Sequence, residues 1–217
     1  MTLSPKEASA RTREICAMAP IVPVLVVHDA GKARALAEAL VAGGLPALEV
    51  TLRTPAALAA ISAMAEVSGG QVGAGTLITR EDVRAAKAAG ATFGVSPGAT
   101  DELLAACEAE GLPLLPGAAT ASEAMRLLAR GYAMLKFFPA EASGGAPALK
   151  AIGAPLPQIR FCPTGGVSPD NAETYLSLPN VLCAGGSWVA PQAMVDKGDW
   201  AGIEALARAV AQLGQPS

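Results

Sequence analysis

Short apolar runs rich in β-branched residues recur along the chain at residues 21–27, 47–52, 71–73, 92–96, 113–115, 133–138, 158–162 and 180–183, with glycine and proline punctuating the stretches between them. Runs of this length and composition predict strands. Between them lie alanine-rich segments whose apolar positions recur at helical spacing, among them 30–41, 55–67, 80–89 and 101–110. Thr100-Asp101-Glu102 and Ser168-Pro169-Asp170 read as helix starts, because a side-chain oxygen or an early proline suits exposed first-turn amides. Gly43-Gly44, Gly90 and Gly111 fall where helices should end.

The pattern is eight strand signals, each followed by a helical one, with starts every roughly 21 to 26 residues, the length of a compact βα unit. Within 217 residues this predicts an α/β fold, a (β/α)8 TIM barrel forming one domain over residues 1–217. An additional helix at 5–18 precedes the first strand, so residues 1–19 are expected to cap the bottom of the barrel. An open doubly wound sheet is the alternative. The count of eight and the lack of a G-x-G-x-x-G turn after the first strand both disfavour it.

Composition narrows the picture. Hydrophobic residues make up 52% of the chain and aromatics only 4%, so Ala, Val, Leu and Ile must build the core, as in helices packed on parallel strands. A formal charge of −3 without any basic run argues against nucleic acid as a partner. The longest uncharged stretch, 175–195, contains Pro179, Gly185, Gly186 and Pro191 and does not read as a membrane helix. No signal peptide is apparent at the N-terminus, and a soluble, cytoplasmic protein is expected. Cys16, Cys107, Cys162 and Cys183 match no metal or C-x-x-C spacing and are expected to be free, mostly buried thiols. His28 is the sole histidine, so acid–base work should fall mainly to carboxylates, lysine or tyrosine, and no metal or cofactor is expected.

Candidate chemistry lies where strands end, since barrel enzymes place their sites there. Lys136 is the one cation in the apolar stretch 131–139. A buried amine must be paired or neutral, and a neutral amine attacks carbonyl carbon; the alternative is a packing lysine whose head reaches a carboxylate or solvent. In 48–53, alternation puts Glu49, Thr51 and Arg53 on one face, facing the barrel interior, with Leu48, Val50 and Leu52 towards the helices. Glu49 suits a proton shuttle and Arg53 a bidentate carboxylate binder, unless the two merely neutralise each other. Thr76 closes a Gly73-Ala74-Gly75-Thr76 turn, and Pro97 reads as pocket wall. Twin glycines, Gly165-Gly166 after the seventh strand and Gly185-Gly186 after the eighth, expose backbone amides next to a following helix N-terminus and suit a phosphate dianion.

Lone lysine, carboxylate, arginine and phosphate cradle together describe a Schiff-base enzyme acting on a phosphorylated keto acid. The runs Leu48-Glu49-Val50-Thr51-Leu52-Arg53-Thr54, Gly73-Ala74-Gly75-Thr76, Ser96-Pro97-Gly98, Lys136-Phe137-Phe138-Pro139-Ala140-Glu141, Phe161-Cys162-Pro163-Thr164-Gly165-Gly166 and Gly185-Gly186-Ser187-Trp188 resemble those of the 2-keto-3-deoxy-6-phosphogluconate (KDPG) and 4-hydroxy-2-oxoglutarate (KHG) aldolase family. The resemblance implies a class I aldolase of the Entner–Doudoroff pathway, releasing pyruvate and glyceraldehyde 3-phosphate. It implies that Lys136 forms the imine and Glu49 moves protons. Arg53 and Thr76 would hold the pyruvyl carboxylate, Pro97 and Phe138 line the pocket, and Gly165, Gly166 and Ser187 hold the phosphate, with Thr164 and Gly186 beside them. A homotrimer is also implied. One departure is Ala119, where the family more often has serine before the threonine. The same chemistry on the galactonate epimer or on 4-hydroxy-2-oxoglutarate, a phosphate-binding isomerase with Glu49 as base, and a silent sugar-phosphate binder remain as alternatives.

Overall fold

The structure is a computed structural model describing residues 2–214. Met1 and residues 215–217, which the single-domain reading includes, lie outside the described residues. Helix α1, Pro5–Cys16, is followed by β1, Ile21–Leu25, a 3-10 turn at Ala30–Lys32, α2, Ala33–Ala42, β2, Ala47–Thr51, and α3, Ala57–Ala65. Next come β3, Gln71–Gly75, α4, Arg80–Ala88, β4, Phe93–Val95, and α5, Asp101–Glu110. Two short strands, β5, Leu114–Leu115, and β6, Gly117–Ala118, precede α6, Ala121–Arg130, β7, Met134–Phe137, and α7, Gly145–Gly153. The chain ends with β8, Arg160–Pro163, α8, Ala172–Leu176, β9, Ala184–Gly186, α9, Gln192–Lys197, and α10, Trp200–Val210.

Every strand pairing is parallel. One sheet runs β5-β4-β3-β2-β1-β9 and the other β6-β7-β8. Bridges from Phe161 to Val181 and from Thr164 to Gly185 join β8 to the β9 segment. On the other side, the strand expected at 113–115 is present as β5, while β6 lies beyond it, past Pro116, where the sequence predicts none; proline has no N–H for the ladder, but its carbonyl still accepts from Lys136 N–H at 2.9 Å. The arrangement is a TIM-barrel-like α/β fold.

One expected strand is displaced. Residues 180–183 contribute only the Val181 bridge, and regular pairing with β1 begins at Ala184. Glycines at 185 and 186 weaken the strand signal, yet close packing requires them. A Cβ on Gly185 would lie 2.3 Å from Thr164 Oγ1, and one on Gly186 would lie 1.9 Å from the Trp188 ring. The Ser168-Pro169-Asp170 turn likewise does not open a helix: α8 starts at Ala172 with Asn171 before it. Thr100, by contrast, caps α5 by accepting from Leu103 N–H at 3.2 Å, and Gly111 ends that helix in the left-handed region.

Strand alternation sorts the apolar residues into two layers. Leu48, Val50, Leu135 and Phe137 belong to the large cluster between strands and helices, whereas Val22, Ala47, Phe93, Val95, Met134 and Cys162 form a small cluster inside the ring of strands. Glu49 is two residues along from Ala47 on β2, and Lys136 two along from Met134 on β7, so both project from the inner face one pleat above that cluster. Helix α1 starts with a Ser4–Glu7 capping box, and its Ser9 hydroxyl accepts from the N–H groups of Ala133 and Met134 at 2.8 and 3.0 Å. Among the described residues no helix is long and apolar enough to cross a membrane.

Candidate active site

Lys136 Nζ lies 3.1 Å from Glu49 Oε1 and 3.5 Å from Oε2, with the two residues only 5% and 3% exposed. An ion pair this dry is costly to assemble and strongly unfavourable to break from one side. Gly75 makes the room for it: a Cβ there would sit 2.3 Å from Glu49 Oε1. The Phe138 ring centroid is 5.3 Å from Lys136 Nζ, a distance at which the ring face attracts the cation.

Glu49 and Arg53 do not neutralise each other. Strand β2 ends at Thr51, whose hydroxyl donates to Leu25 O at 3.0 Å, and the chain then turns, Arg53 N–H donating to Thr51 O at 2.8 Å. Arg53 is therefore not on the pleated face shared by Glu49 and Thr51, as alternation through residue 53 predicts, but exposed beyond the strand end. Its Nε donates to Thr76 Oγ1 at 3.3 Å. Thr76 itself has φ +64, a left-handed backbone that a β-branched residue adopts at a cost on the order of 1–3 kcal/mol. Leu52 N–H to Gly75 O at 2.9 Å and Leu77 N–H to Val95 O at 3.1 Å hold it there from both sides.

Past β8, Thr164 is buried, with its hydroxyl donating to Cys162 O at 3.4 Å. Gly165 and Gly166 have φ of +97 and +81, and a Cβ on Gly165 would lie 3.3 Å from the Phe138 ring. Phe138 thus spans the distance from the lysine to this loop. The bridge between Thr164 and Gly185 sets the Gly165-Gly166 and Gly186-Ser187 turns side by side. Among the described residues the N–H groups of Gly166, Val167 and Ser187 donate to no protein acceptor. The expected helix N-termini are not adjacent: α8 and α9 begin only at Ala172 and Gln192, so any anion-binding capacity here comes from loop amides. A cavity of about 380 Å³ opens nearby, lined in part by Val24, Val26, Ser187, Trp188 and Gln192.

Pro97 is exposed, and its carbonyl packs where a Cβ on Gly117 would fall, at 2.2 Å. Neighbouring Ser96 has a fully buried hydroxyl without a partner among the described residues. Thr120 caps α6 with Glu123, so the Ala119 departure falls at a helix start. His28 is exposed and makes no hydrogen bond among the described residues.

Two groupings have no signature in the sequence. Cys16, Cys162 and Cys183, far apart in the chain, meet inside the ring below the ion pair. The neighbouring Cys162 raises the Cys16 thiol well above its ordinary value, and Cys16 in turn lowers Cys162, which also feels the charge of Lys136. Glu141, within the same motif as Lys136, accepts a hydrogen bond from the buried Tyr175 hydroxyl.

An amine held against a carboxylate, away from water, has what imine formation needs: a nucleophile and an adjacent proton acceptor. Residues 12–206 match the family described as KDPG and KHG aldolase. The chain is 53% identical over 198 residues to a 2-dehydro-3-deoxy-phosphogluconate aldolase of Pseudoalteromonas atlantica, covering 91% of this chain and 92% of the relative. It superposes with TM-score 0.90 and 48% identity on the KDPG aldolase of Zymomonas mobilis ZM4 with 3-phosphoglycerate, covering 94% of this chain and 97% of that one. The corresponding values are 0.88, 47%, 92% and 97% for KDPG aldolase from Legionella pneumophila with pyruvate captured at low pH as a covalent carbinolamine. Sequence and fold agree over nearly the whole chain, and the protein belongs to the KDPG and KHG aldolase family.

Proposed function

We propose that this protein is a class I aldolase that cleaves 2-dehydro-3-deoxy-6-phosphogluconate to pyruvate and D-glyceraldehyde 3-phosphate, the cleavage step of the Entner–Doudoroff pathway. The observation that carries the reading is the buried contact of Lys136 Nζ with Glu49 Oε1 at 3.1 Å. Lys136 attacks the keto carbon, water leaves, and the protonated imine draws electrons from the breaking C3–C4 bond. Glu49 accepts the C4 hydroxyl proton as that bond breaks and returns a proton to the enamine. Hydrolysis then releases pyruvate and frees the amine.

Arg53 and Thr76, joined by their 3.3 Å hydrogen bond, are suited to hold the pyruvyl carboxylate. Phe138 and Pro97 wall the pocket. Gly165, Gly166 and Ser187, with Thr164 and Gly186 shaping their turns, offer loop amides to the phosphate. We further read the strands as one closed (β/α)8 barrel, a single domain with α1 across its floor, assembled as a homotrimer in the cytoplasm. Support for the assembly and location is the family resemblance alone, and sedimentation of the purified protein tests the trimer.

Steady-state pyruvate release tests the activity. Wild type should turn over the phosphorylated gluconate derivative in preference to the galactonate epimer and 4-hydroxy-2-oxoglutarate, and Lys136→Met should abolish release from all three. Release undiminished in Lys136→Met would refute the assignment of the lysine.

A further inference from the structure

The Gly165-Gly166 loop is held from behind by residues that have no part in the chemistry above. Glu141 N–H donates to Gly165 O at 3.0 Å, Asn171 Nδ2 donates to Gly166 O at 3.0 Å, and Asn171 Oδ1 accepts from Ser168 N–H at 2.8 Å. With both glycine carbonyls turned towards these donors, the N–H groups of Gly166 and Val167 are left without acceptors among the described residues. The Glu141 side chain lies directly against Gly166, where a Cβ would come within 2.5 Å of Glu141 Cγ, so a residue with a side chain could not take that place. The far end of Glu141 is fixed in turn: the hydroxyl of Tyr175, a residue of α8 only 1% exposed, donates to Oε1. An exposed glutamate beside a proposed phosphate loop is otherwise unexpected, because its charge opposes the ligand's. Its use is as a wedge between α8 and the loop.

We infer that Glu141, locked by Tyr175, is a positioning residue that sets the Gly165-Gly166 amides for the substrate phosphate and so contributes to selectivity for phosphorylated over unphosphorylated keto acids. This rests on the aldolase reading and deepens its phosphate end. A hydrogen bond that fixes a loop on a charged ligand is worth roughly tenfold in affinity. Removing the wedge therefore raises KM for the phosphorylated substrate, while kcat and chemistry at the pyruvyl end stay as they are.

The test compares wild type, Tyr175→Phe, Glu141→Ala and Glu141→Gln with two substrates, 2-dehydro-3-deoxy-6-phosphogluconate and its unphosphorylated counterpart, and measures deuterium exchange into the methyl group of pyruvate. Tyr175→Phe and Glu141→Ala should lower the phosphorylated-to-unphosphorylated ratio of kcat/KM about tenfold through KM, with pyruvate exchange unchanged. Glu141→Gln, which keeps the packing and an acceptor for Tyr175, should restore the wild-type ratio. An unaltered ratio in Tyr175→Phe and Glu141→Ala, or an equal loss on both substrates and in exchange, would overturn the inference. Wild type that neither cleaves the substrates nor exchanges pyruvate would instead sink the aldolase reading itself.

Discussion

Methionine at position 136 would remove the amine while keeping an unbranched chain, leaving Glu49 inside the ring with no other hydrogen-bond partner among the described residues. With both side chains almost wholly withdrawn from water and 3.1 Å apart, breaking the pair from one side should cost roughly 3–5 kcal/mol. Glu49→Met orphans the lysine and should cost about as much. The double variant Lys136→Met/Glu49→Met orphans nothing and replaces the pair by apolar groups of similar volume, for which about 1.5 kcal/mol is an upper bound and a net gain is possible. The single costs would then sum to several kcal/mol more than the double, a coupling far above the ~0.5 kcal/mol expected of independent sites. Urea unfolding with unchanged m values measures all four proteins. Additive losses, or singles costing under about 1 kcal/mol, would show that the pair is solvated and refute the picture of a dry, mutually dependent site.

Three further outcomes follow from particular contacts. Gly75→Ala places a Cβ 2.3 Å from Glu49 Oε1 and should leave a folded protein whose cleavage rate drops on the order of 100-fold, whereas Gly98→Ala, with nothing within 4 Å, should be silent in the same assay. Glu108→Ala strips Arg130 of a bidentate partner at 3.0 Å for each bond and the Tyr132 hydroxyl of its acceptor at 3.1 Å, and should cost roughly 2–3 kcal/mol in thermal unfolding. Burial, aided by the charge of Glu108, pushes the Cys107 thiol from 9.0 up to about 12. The unfolded thiol loses its proton first, so stability should be intact below pH 9 and fall as pH rises towards 12, by at most about 1.4 kcal/mol per unit, a slope that Cys107→Ala reduces.

The repeating strand and helix signals are legible in the sequence because buried parallel strands are apolar runs and their helices carry clear caps, as at Thr100 and Gly111. The eighth strand lies beyond the apolar run at 180–183 for a reason of the same kind. Its regular part, Ala184–Gly186, is two-thirds glycine, required by Thr164 and Trp188 rather than by any local strand preference. Lys136 and Glu49 stood out because charge in an apolar run is unusual, but only the folded ring shows that they are each other's partner. Arg53 defeated the alternation rule because the strand stops two residues earlier. The cysteine cluster and the Glu141–Tyr175 contact join residues separated by long stretches of sequence, and no local pattern records such contacts.

Borohydride reduction in the presence of pyruvate, followed by peptide mapping, tests the central claim most directly. A class I mechanism through Lys136 predicts a stable reduced pyruvyl adduct on the peptide containing Lys136, and none in Lys136→Met. No adduct, or one on a different lysine, would contradict the account.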